Sequence, residues 1–157
     1  RQWCVIHQCG KPTTNSNYKQ ELESARLKLS KAARENYFVR EWISESELAY
    51  IYTQAYCVVA RAGANTTEEL MLRALPTLFI PLPFSHNDEQ QKNVLALTQK
   101  NQALILEQKN LNPETLLESL VVLKKQHKKI QFNLQLNSRP QQPEAALYDL
   151  AQRTQKS

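Results

Sequence analysis

The residues best suited to chemistry lie in one turn, between a short apolar run and the start of a helical pattern. The apolar run Tyr56–Ala60 leads into Arg61-Ala62-Gly63-Ala64-Asn65, and the helical pattern follows from Thr66. Gly63 is one of two glycines in the chain. Glycine at such a turn allows either a backbone angle or a close ligand approach that a side chain would prevent. Because free amides at a helix start attract anions, the turn predicts an anion site.

A carboxylate beside this turn admits two interpretations. Glu69 lies in the first helical turn and could accept hydrogen bonds from sugar hydroxyls. Thr66-x-x-Glu69 and Asn65-x-x-Glu68 also fit a capping box, in which the side chains satisfy amides of the helix itself. The two interpretations are compatible, because a cap formed by Asn65 and Glu68 leaves Glu69 free.

Apolar runs and helical patterns alternate about five times along the chain. Strands are predicted at residues 3–7, 37–39, 56–60, 77–81 and 103–106, and helices at 18–33, 47–55, 66–72, 90–100, 113–126 and 143–155. This alternation predicts an α/β fold with a parallel sheet and right-handed crossovers. In open parallel sheets, ligands bind at the carboxyl ends of the strands. The turn at Gly63 and the polar loop 85–91 both follow predicted strands.

Composition excludes several classes of protein and of site. A chain of 157 residues with 41% apolar content can form one domain with a core, and no apolar run approaches a membrane span. The three cysteines provide neither a disulfide framework nor the paired spacing of a metal site. No Ser-His-Asp or Cys-His set is evident. We therefore expect no metal site, no cofactor and a reducing compartment.

The positive charge is concentrated at the C-terminal end. The net charge is +5, and residues 124–157 hold seven basic and two acidic residues, which accounts for all of it. The centre of this charge is Lys124-Lys125-Gln126-His127-Lys128-Lys129. Such a cluster either attracts an anionic lipid surface or forms a solvated helix face. Nucleic acid is not expected as a partner, because no interleaved aromatic residues accompany the cluster.

Three motifs resemble one family in the same order and spacing. Arg61-Ala62-Gly63-Ala64-Asn65-Thr66-Thr67-Glu68-Glu69-Leu70 looks like the signature R-(S/A)-G-A-x-T-x-x-E-(L/I) of the MurG family, and Pro81-Leu82-Pro83 with His86, Asp88, Gln90, Gln91 and Asn93 continues it. His7-Gln8-Cys9-Gly10-Lys11 resembles the family's H-Q-(T/S)-G-K. MurG enzymes are UDP-N-acetylglucosamine:N-acetylmuramyl-(pentapeptide) pyrophosphoryl-undecaprenol N-acetylglucosamine transferases.

The resemblance implies a Rossmann-like parallel sheet with flanking helices, as in the C-terminal domain of a GT-B glycosyltransferase. Residues 1–157 would form a single, partial UDP-sugar-binding domain, with 124–157 as its basic helical C-terminal tail. The family's first strand of this domain, its glycine-rich loop and its N-terminal acceptor domain are expected to precede Arg1. No catalytic residue is then expected in this chain, since the proposed base of the family lies in that missing domain.

The resemblance also implies a role for each candidate substrate-binding residue. The amides around Ala64, Asn65 and Thr66 would face the diphosphate, Arg61 would offset its charge, and Glu69 would take the ribose hydroxyls. Gln90, Gln91 and His86 would address the N-acetylglucosamine, and the backbone of Ile43 would read the uracil edge. The ordinary alternatives are a solvated arginine, an exposed helix start and a buried isoleucine.

The implied activity is an inverting transfer of N-acetylglucosamine from UDP-N-acetylglucosamine to a lipid-linked muramyl-pentapeptide, in peptidoglycan synthesis. The enzyme would be cytoplasmic and peripheral on the inner face of the plasma membrane, and this fragment alone would be inactive. Two alternatives stay open. One is the donor-binding subunit of a two-subunit N-acetylglucosamine transferase, and the other is a non-catalytic UDP-sugar-binding module.

Overall fold

A computed structural model describes residues 3–14, 16–83 and 89–138. The chain divides into two compact units, of which the first ends at Thr53 and the second begins at Gln54. His86 and the helix predicted at 143–155 lie outside the described residues. Each unit contains a parallel sheet and helices, so the predicted α/β class is confirmed.

The first unit contains a two-stranded sheet. Its strands are β1 (Val5–Gln8) and β2 (Tyr37–Arg40), and its helices are α1 (Tyr18–Leu27), α2 (Lys31–Glu35) and α3 (Glu45–Gln54). The strands pair in parallel, with Val5 opposite Tyr37 and Gln8 opposite Arg40. The carboxyl ends of both strands therefore lie at the same edge, where Gln8 and the residues after Arg40 meet.

The single helix predicted from residue 18 to 33 is wrong, because the structure divides it in two. The side chain of Ser30 accepts a hydrogen bond from the Ala33 amide at 3.3 Å, and this cap starts α2. The Lys28 amide bonds back to the Ala25 carbonyl at 3.1 Å and closes α1. Serine competes in this way with a continuous helix, and the apolar spacing alone does not reveal it.

The second unit contains a three-stranded parallel sheet in the order β3-β4-β5. Its elements are β3 (Val58–Ala60), α4 (Ala64–Leu72), β4 (Thr77–Phe79), α5 (Glu89–Gln99), β5 (Leu104–Ile105), a short 3-10 helix (Gln108–Asn110) and α6 (Pro113–Ser138). The central strand β4 is buried at every residue. A strand covered on both faces needs a continuous apolar run, as residues 77–81 provide.

Helix α6 continues about three turns beyond the end predicted near residue 126, which is therefore wrong. Leu123, Ile130 and Leu134 are all buried and lie on one helical face, because they are separated by seven and four residues. They join Leu78 in the core. The Asn133 side chain adds a hydrogen bond to the Asn101 carbonyl at 3.1 Å. Tertiary contacts therefore stabilise a segment whose sequence is polar and loosely patterned.

Candidate functional site

The start of α4 exposes backbone amides that the helix cannot pair. The first hydrogen bond of the helix runs from the Thr67 amide to the Gly63 carbonyl at 2.9 Å. The amides of Ala64, Asn65 and Thr66 precede it, so they have no acceptor within the helix. Gly63 occupies the N-cap position and offers no side chain to cap them. Three donors and the positive end of the helix dipole together are the features that attract an anion, which makes this helix start a candidate anion site.

Both predicted capping boxes are wrong. The helix begins at Ala64, so Asn65 and Thr66 are its second and third residues instead of its N-cap. Asn65 is exposed and Thr66 is half-buried. A Ser, Thr or Asn followed three residues later by Glu fits more than one possible start of this helix. The geometry of the turn decides which start forms. The amides that these side chains would have satisfied stay available to a ligand.

Gly63 adopts an ordinary conformation. Its φ of −63° and ψ of 146° are open to most residues, and a Cβ built on it meets no atom within 4 Å. Gly10 differs, because its φ of +82° lies in the left-handed region that favours glycine. Of the two reasons that the sequence suggested for Gly63, the backbone angle is therefore excluded. The open space at its Cβ position leaves room for the close approach of a ligand.

Arg61 fastens the turn to the neighbouring strand. Its Nη1 donates to the Ile80 carbonyl at 3.0 Å and to Oε1 of Gln108 at 2.5 Å. The Asn93 side chain donates to the carbonyl of the fully buried Ala62 at 3.3 Å. These bonds hold the loops after β3 and β4 together at one sheet edge. The sequence marked Arg61 as a charge for a ligand, whereas the structure also gives it this bracing role.

The Glu69 carboxylate is held only loosely. Its Oε1 lies 3.5 Å from Nε of Arg73, one helical turn further on, and 41% of the side chain is exposed. Exposed pairs of this kind contribute about 0–1 kcal/mol, so a ligand can compete for the carboxylate. Glu68 beside it is exposed.

The two predicted glutamines differ in their surroundings. Oε1 of Gln90 accepts a hydrogen bond from the Leu82 amide at 3.0 Å, which ties the first turn of α5 to the loop after β4. Gln91 is exposed on the same helix. His86, predicted near the same position, lies outside the described residues.

Ile43 belongs to the first unit, where hydrogen bonds fix its own amide and the amide of the next residue. Its amide donates to Oε1 of Gln8 at 3.0 Å, and the residue is buried. Directly after it, Ser44 and Glu47 form a capping box at the start of α3, with bonds of 3.0 Å and 3.4 Å. Hydrogen bonds from the Ser44 side chain and backbone lower the pKa of Glu47. The helix predicted from residue 47 therefore begins two residues earlier, at Glu45.

The motif His7-Gln8-Cys9-Gly10-Lys11 begins in β1, and its polar side chains lie at the end of the strand. The Cys9 amide donates to the Arg40 carbonyl at 2.9 Å, and its Sγ lies 3.3 Å from the same oxygen. Cysteine thus provides a weak donor at a position where the family carries Thr or Ser. Nδ1 of His7 lies 2.7 Å from the Tyr37 hydroxyl, and burial lowers the pKa of His7.

The described residues supply donors and acceptors instead of a metal site. In the ranges 3–14, 16–83 and 89–138, no group of three or more His, Cys, Asp or Glu residues could hold a metal ion. Backbone amides at a helix start suit a phosphate, and carboxylate and carboxamide groups suit sugar hydroxyls. The set therefore fits an anionic ligand that carries hydroxyl groups.

Comparison with known proteins supports this chemistry. A family model described as the glycosyltransferase family 28 C-terminal domain matches residues 2–153. UDP-N-acetylglucosamine–N-acetylmuramyl-(pentapeptide) pyrophosphoryl-undecaprenol N-acetylglucosamine transferases are among the relatives. That of Colwellia psychrerythraea is 33% identical over 78% of this chain, and that of Proteus mirabilis is 36% identical over 74%. The chain spans only 30% and 31% of these two relatives.

Solved structures agree with the sequence matches. The crystal structure of Acinetobacter baumannii MurG superposes with a TM-score of 0.66 and 25% identity, over 94% of this chain and 40% of that one. Spinosyn forosaminyltransferase SpnP, at 15% identity and a TM-score of 0.57, supports the fold alone. The resemblance to the MurG family is thereby confirmed. The chain belongs to glycosyltransferase family 28, whose C-terminal domain its sequence matches and whose GT-B architecture its parallel sheets and flanking helices share.

Proposed function

We propose that the chain is the donor-binding part of a hexosyltransferase that moves N-acetylglucosamine from UDP-N-acetylglucosamine to a lipid-linked muramyl-pentapeptide. The observation that carries this proposal is the open start of α4, where Gly63 leaves three amides unpaired at the edge of a parallel sheet. A diphosphate is the ligand group that such a site suits best. The relatives named for this transfer provide independent support.

Each part of the donor has a proposed partner. The amides of Ala64, Asn65 and Thr66 bind the diphosphate, and the charge of Arg61 attracts it from the base of the turn. The Glu69 carboxylate accepts hydrogen bonds from the ribose hydroxyls, which replace its exposed ion pair with Arg73. For the remaining parts, Gln90, Gln91 and His86 bind the sugar, and the backbone of Ile43 binds the uracil edge.

In the proposed reaction, this chain contributes electrostatic stabilisation of the leaving group and not the general base. The acceptor hydroxyl attacks the anomeric carbon with inversion, and UDP leaves with the bonding electrons. Fixed amides and a helix dipole stabilise the charge that develops on the leaving diphosphate, and they require no rearrangement during the step. The base and the acceptor site would come from a preceding domain, so we expect this chain to bind the donor without turning it over.

Replacement of Glu69 tests the proposal directly. We expect Glu69→Ala to weaken binding of UDP-N-acetylglucosamine about tenfold, because hydrogen bonds to a charged acceptor contribute roughly 1.5 kcal/mol or more. Isothermal titration calorimetry measures the change. Glu68→Ala is the matched control, since it removes the same charge from the neighbouring position, which is exposed. Equal losses in the two variants would contradict a specific ribose contact, and a folded wild-type chain without affinity would contradict the function.

The outer face of α6 suits an anionic membrane surface. Leu117, Val121 and Phe132 are exposed, and their spacing of four and eleven residues places them on one side of the helix. Lys125 and Lys128 fall on the same side. None of the helices in the described part of the chain is both long and apolar enough to cross a membrane. We therefore propose peripheral attachment to the inner face of the plasma membrane, with apolar side chains inserted and lysines at the headgroups.

Charge removal on this face should reduce membrane binding. We expect the double variant Lys125→Gln/Lys128→Gln to bind vesicles containing phosphatidylserine about 30-fold more weakly, since each lysine contributes about 1 kcal/mol near such a surface. Vesicle co-sedimentation measures the partition. The double variant Lys28→Gln/Lys31→Gln removes the same charge from exposed positions of the first unit. If both double variants lose binding equally, net charge and not this face is responsible.

A further inference from the structure

One hydrogen bond at the end of β1 joins an exposed side chain to a buried backbone donor. The Ile43 amide lies in a residue that is only 8% exposed, and its partner is Oε1 of Gln8 at 3.0 Å. Gln8 itself is exposed, so its side chain can exchange this bond for water at small cost. The Ile43 amide has less freedom, because the capping box at Ser44 and Glu47 fixes the chain directly after it.

The chemistry of the bond matches the ligand group proposed for this position. A glutamine carboxamide presents a carbonyl oxygen beside an N–H, and the O4–C4–N3–H edge of uracil presents the same pair in the same order. Gln8 therefore places on the Ile43 amide the acceptor that uracil would place there. Two carbonyl oxygens cannot both make a full bond to one N–H in the same direction.

On the basis of the proposed function, we infer that Gln8 is a placeholder for the uracil base: its carboxamide occupies the Ile43 amide in the free protein and is displaced when the nucleotide binds. A buried donor left without an acceptor is costly, so the placeholder keeps the empty site satisfied. The placeholder lowers the affinity for nucleotides, because every nucleotide must first displace Gln8 from the Ile43 amide.

Once Gln8 is displaced, the Ile43 amide favours uracil over cytosine. Uracil returns a carbonyl acceptor to Ile43, and the released Gln8 side chain turns to solvent. Cytosine presents its amino group at that position, so displacement of Gln8 would set two donors against each other. Sites built for one hydrogen-bonding partner reject analogues that leave a buried group unpaired. The Ile43 amide is thus the group that favours uracil, whereas Gln8, which either base must displace, lowers the affinity for both.

Removal of the carboxamide should strengthen nucleotide binding. We expect Gln8→Ala to bind UDP about fivefold more tightly than wild type, because the ligand no longer competes with an internal acceptor. Gln8→Asn provides a second variant, since a side chain shorter by one methylene keeps the polar group but cannot span the same distance. Gln20→Ala is the control, because Gln20 is exposed on α1. Calorimetry with UDP and with CDP measures affinity and selectivity in all four chains.

Hydrogen exchange of the Ile43 amide provides a readout that needs no ligand. Exchange should accelerate in Gln8→Ala and Gln8→Asn but not in Gln20→Ala, and saturating UDP should slow it to the same rate in every chain. If wild type fails to bind UDP, both the proposed function and the placeholder are overturned. If wild type binds UDP but the Gln8 variants bind it equally or more weakly, the placeholder alone is overturned and Gln8 merely orients the backbone.

Discussion

Gly63→Val should abolish most of the affinity for UDP-N-acetylglucosamine and leave the fold intact. The backbone at Gly63 is ordinary, and an added Cβ meets nothing within 4 Å, so we expect the folded chain to tolerate a side chain there. Glycine and valine differ at an N-cap by about 1 kcal/mol at most. A diphosphate bound on the amides of Ala64 to Thr66 would, however, occupy the space that the valine methyl groups fill. Overpacking of this kind costs about 3 kcal/mol, which is roughly 150-fold in affinity.

Two measurements separate this effect from damage to the fold. Thermal unfolding should change little, while titration calorimetry should show the loss for UDP-N-acetylglucosamine. Uridine without phosphate should bind Gly63→Val as it binds wild type, because the obstruction lies at the diphosphate. Gly63→Ala should give an intermediate loss, as expected for one methyl group. A variant that retains full affinity would remove the open start of α4 from the proposed site.

Ile130→Ala should cost the largest amount of stability, about 2–5 kcal/mol. Ile130 is 1% exposed and packs in the core with Leu78, Leu123 and Leu134. It lies in the part of α6 beyond residue 126, where the sequence pattern predicted no helix. Truncation of its side chain leaves a cavity that the close-packed neighbours fill only in part. Urea unfolding followed by circular dichroism measures the change.

Phe132→Ala is the control for this substitution. Phe132 lies two residues further along α6 with 59% of its surface exposed, so its loss should change the free energy of unfolding by less than about 1 kcal/mol. The contrast tests whether the extended helix is part of the core or only an appendage. Similar small effects at both positions would show that the helix is detached beyond residue 126 in solution.

Much of the site could be predicted because its chemistry is local. The strand β3, the glycine and the helix start lie close together between Val58 and Glu69, and the structure places the helix start next to Gly63. The N-cap predicted at Asn65 or Thr66 is wrong, because this sequence fits a capping box at more than one position. The roles of Gln90 and Gln91 follow only from the resemblance to the family, and both residues lie in the first turn of α5.

Partners distant in sequence could not be predicted. Arg61 bonds to Ile80 and to Gln108, and Gln8 bonds to Ile43 across the end of the sheet. Neither the periodicity nor the spacing of residues predicts which distant group a long side chain will contact. Gln8 belonged to a motif that the sequence singled out, yet only the parallel register of β1 and β2 brings it to the Ile43 amide.

By itself, the sequence determined the alternation of strands and helices, the parallel class of the sheet and the position of the glycine turn before α4, because apolar spacing and turn residues act over a few positions. The tertiary structure decided how far α6 continues and which donors are already occupied. These depend on contacts between residues distant in the sequence, as Leu134 with Leu78 in the core and Arg61 on Gln108 show. Local patterns therefore located the turn proposed to bind the donor, and long-range contacts determined which of its groups already have partners within the chain.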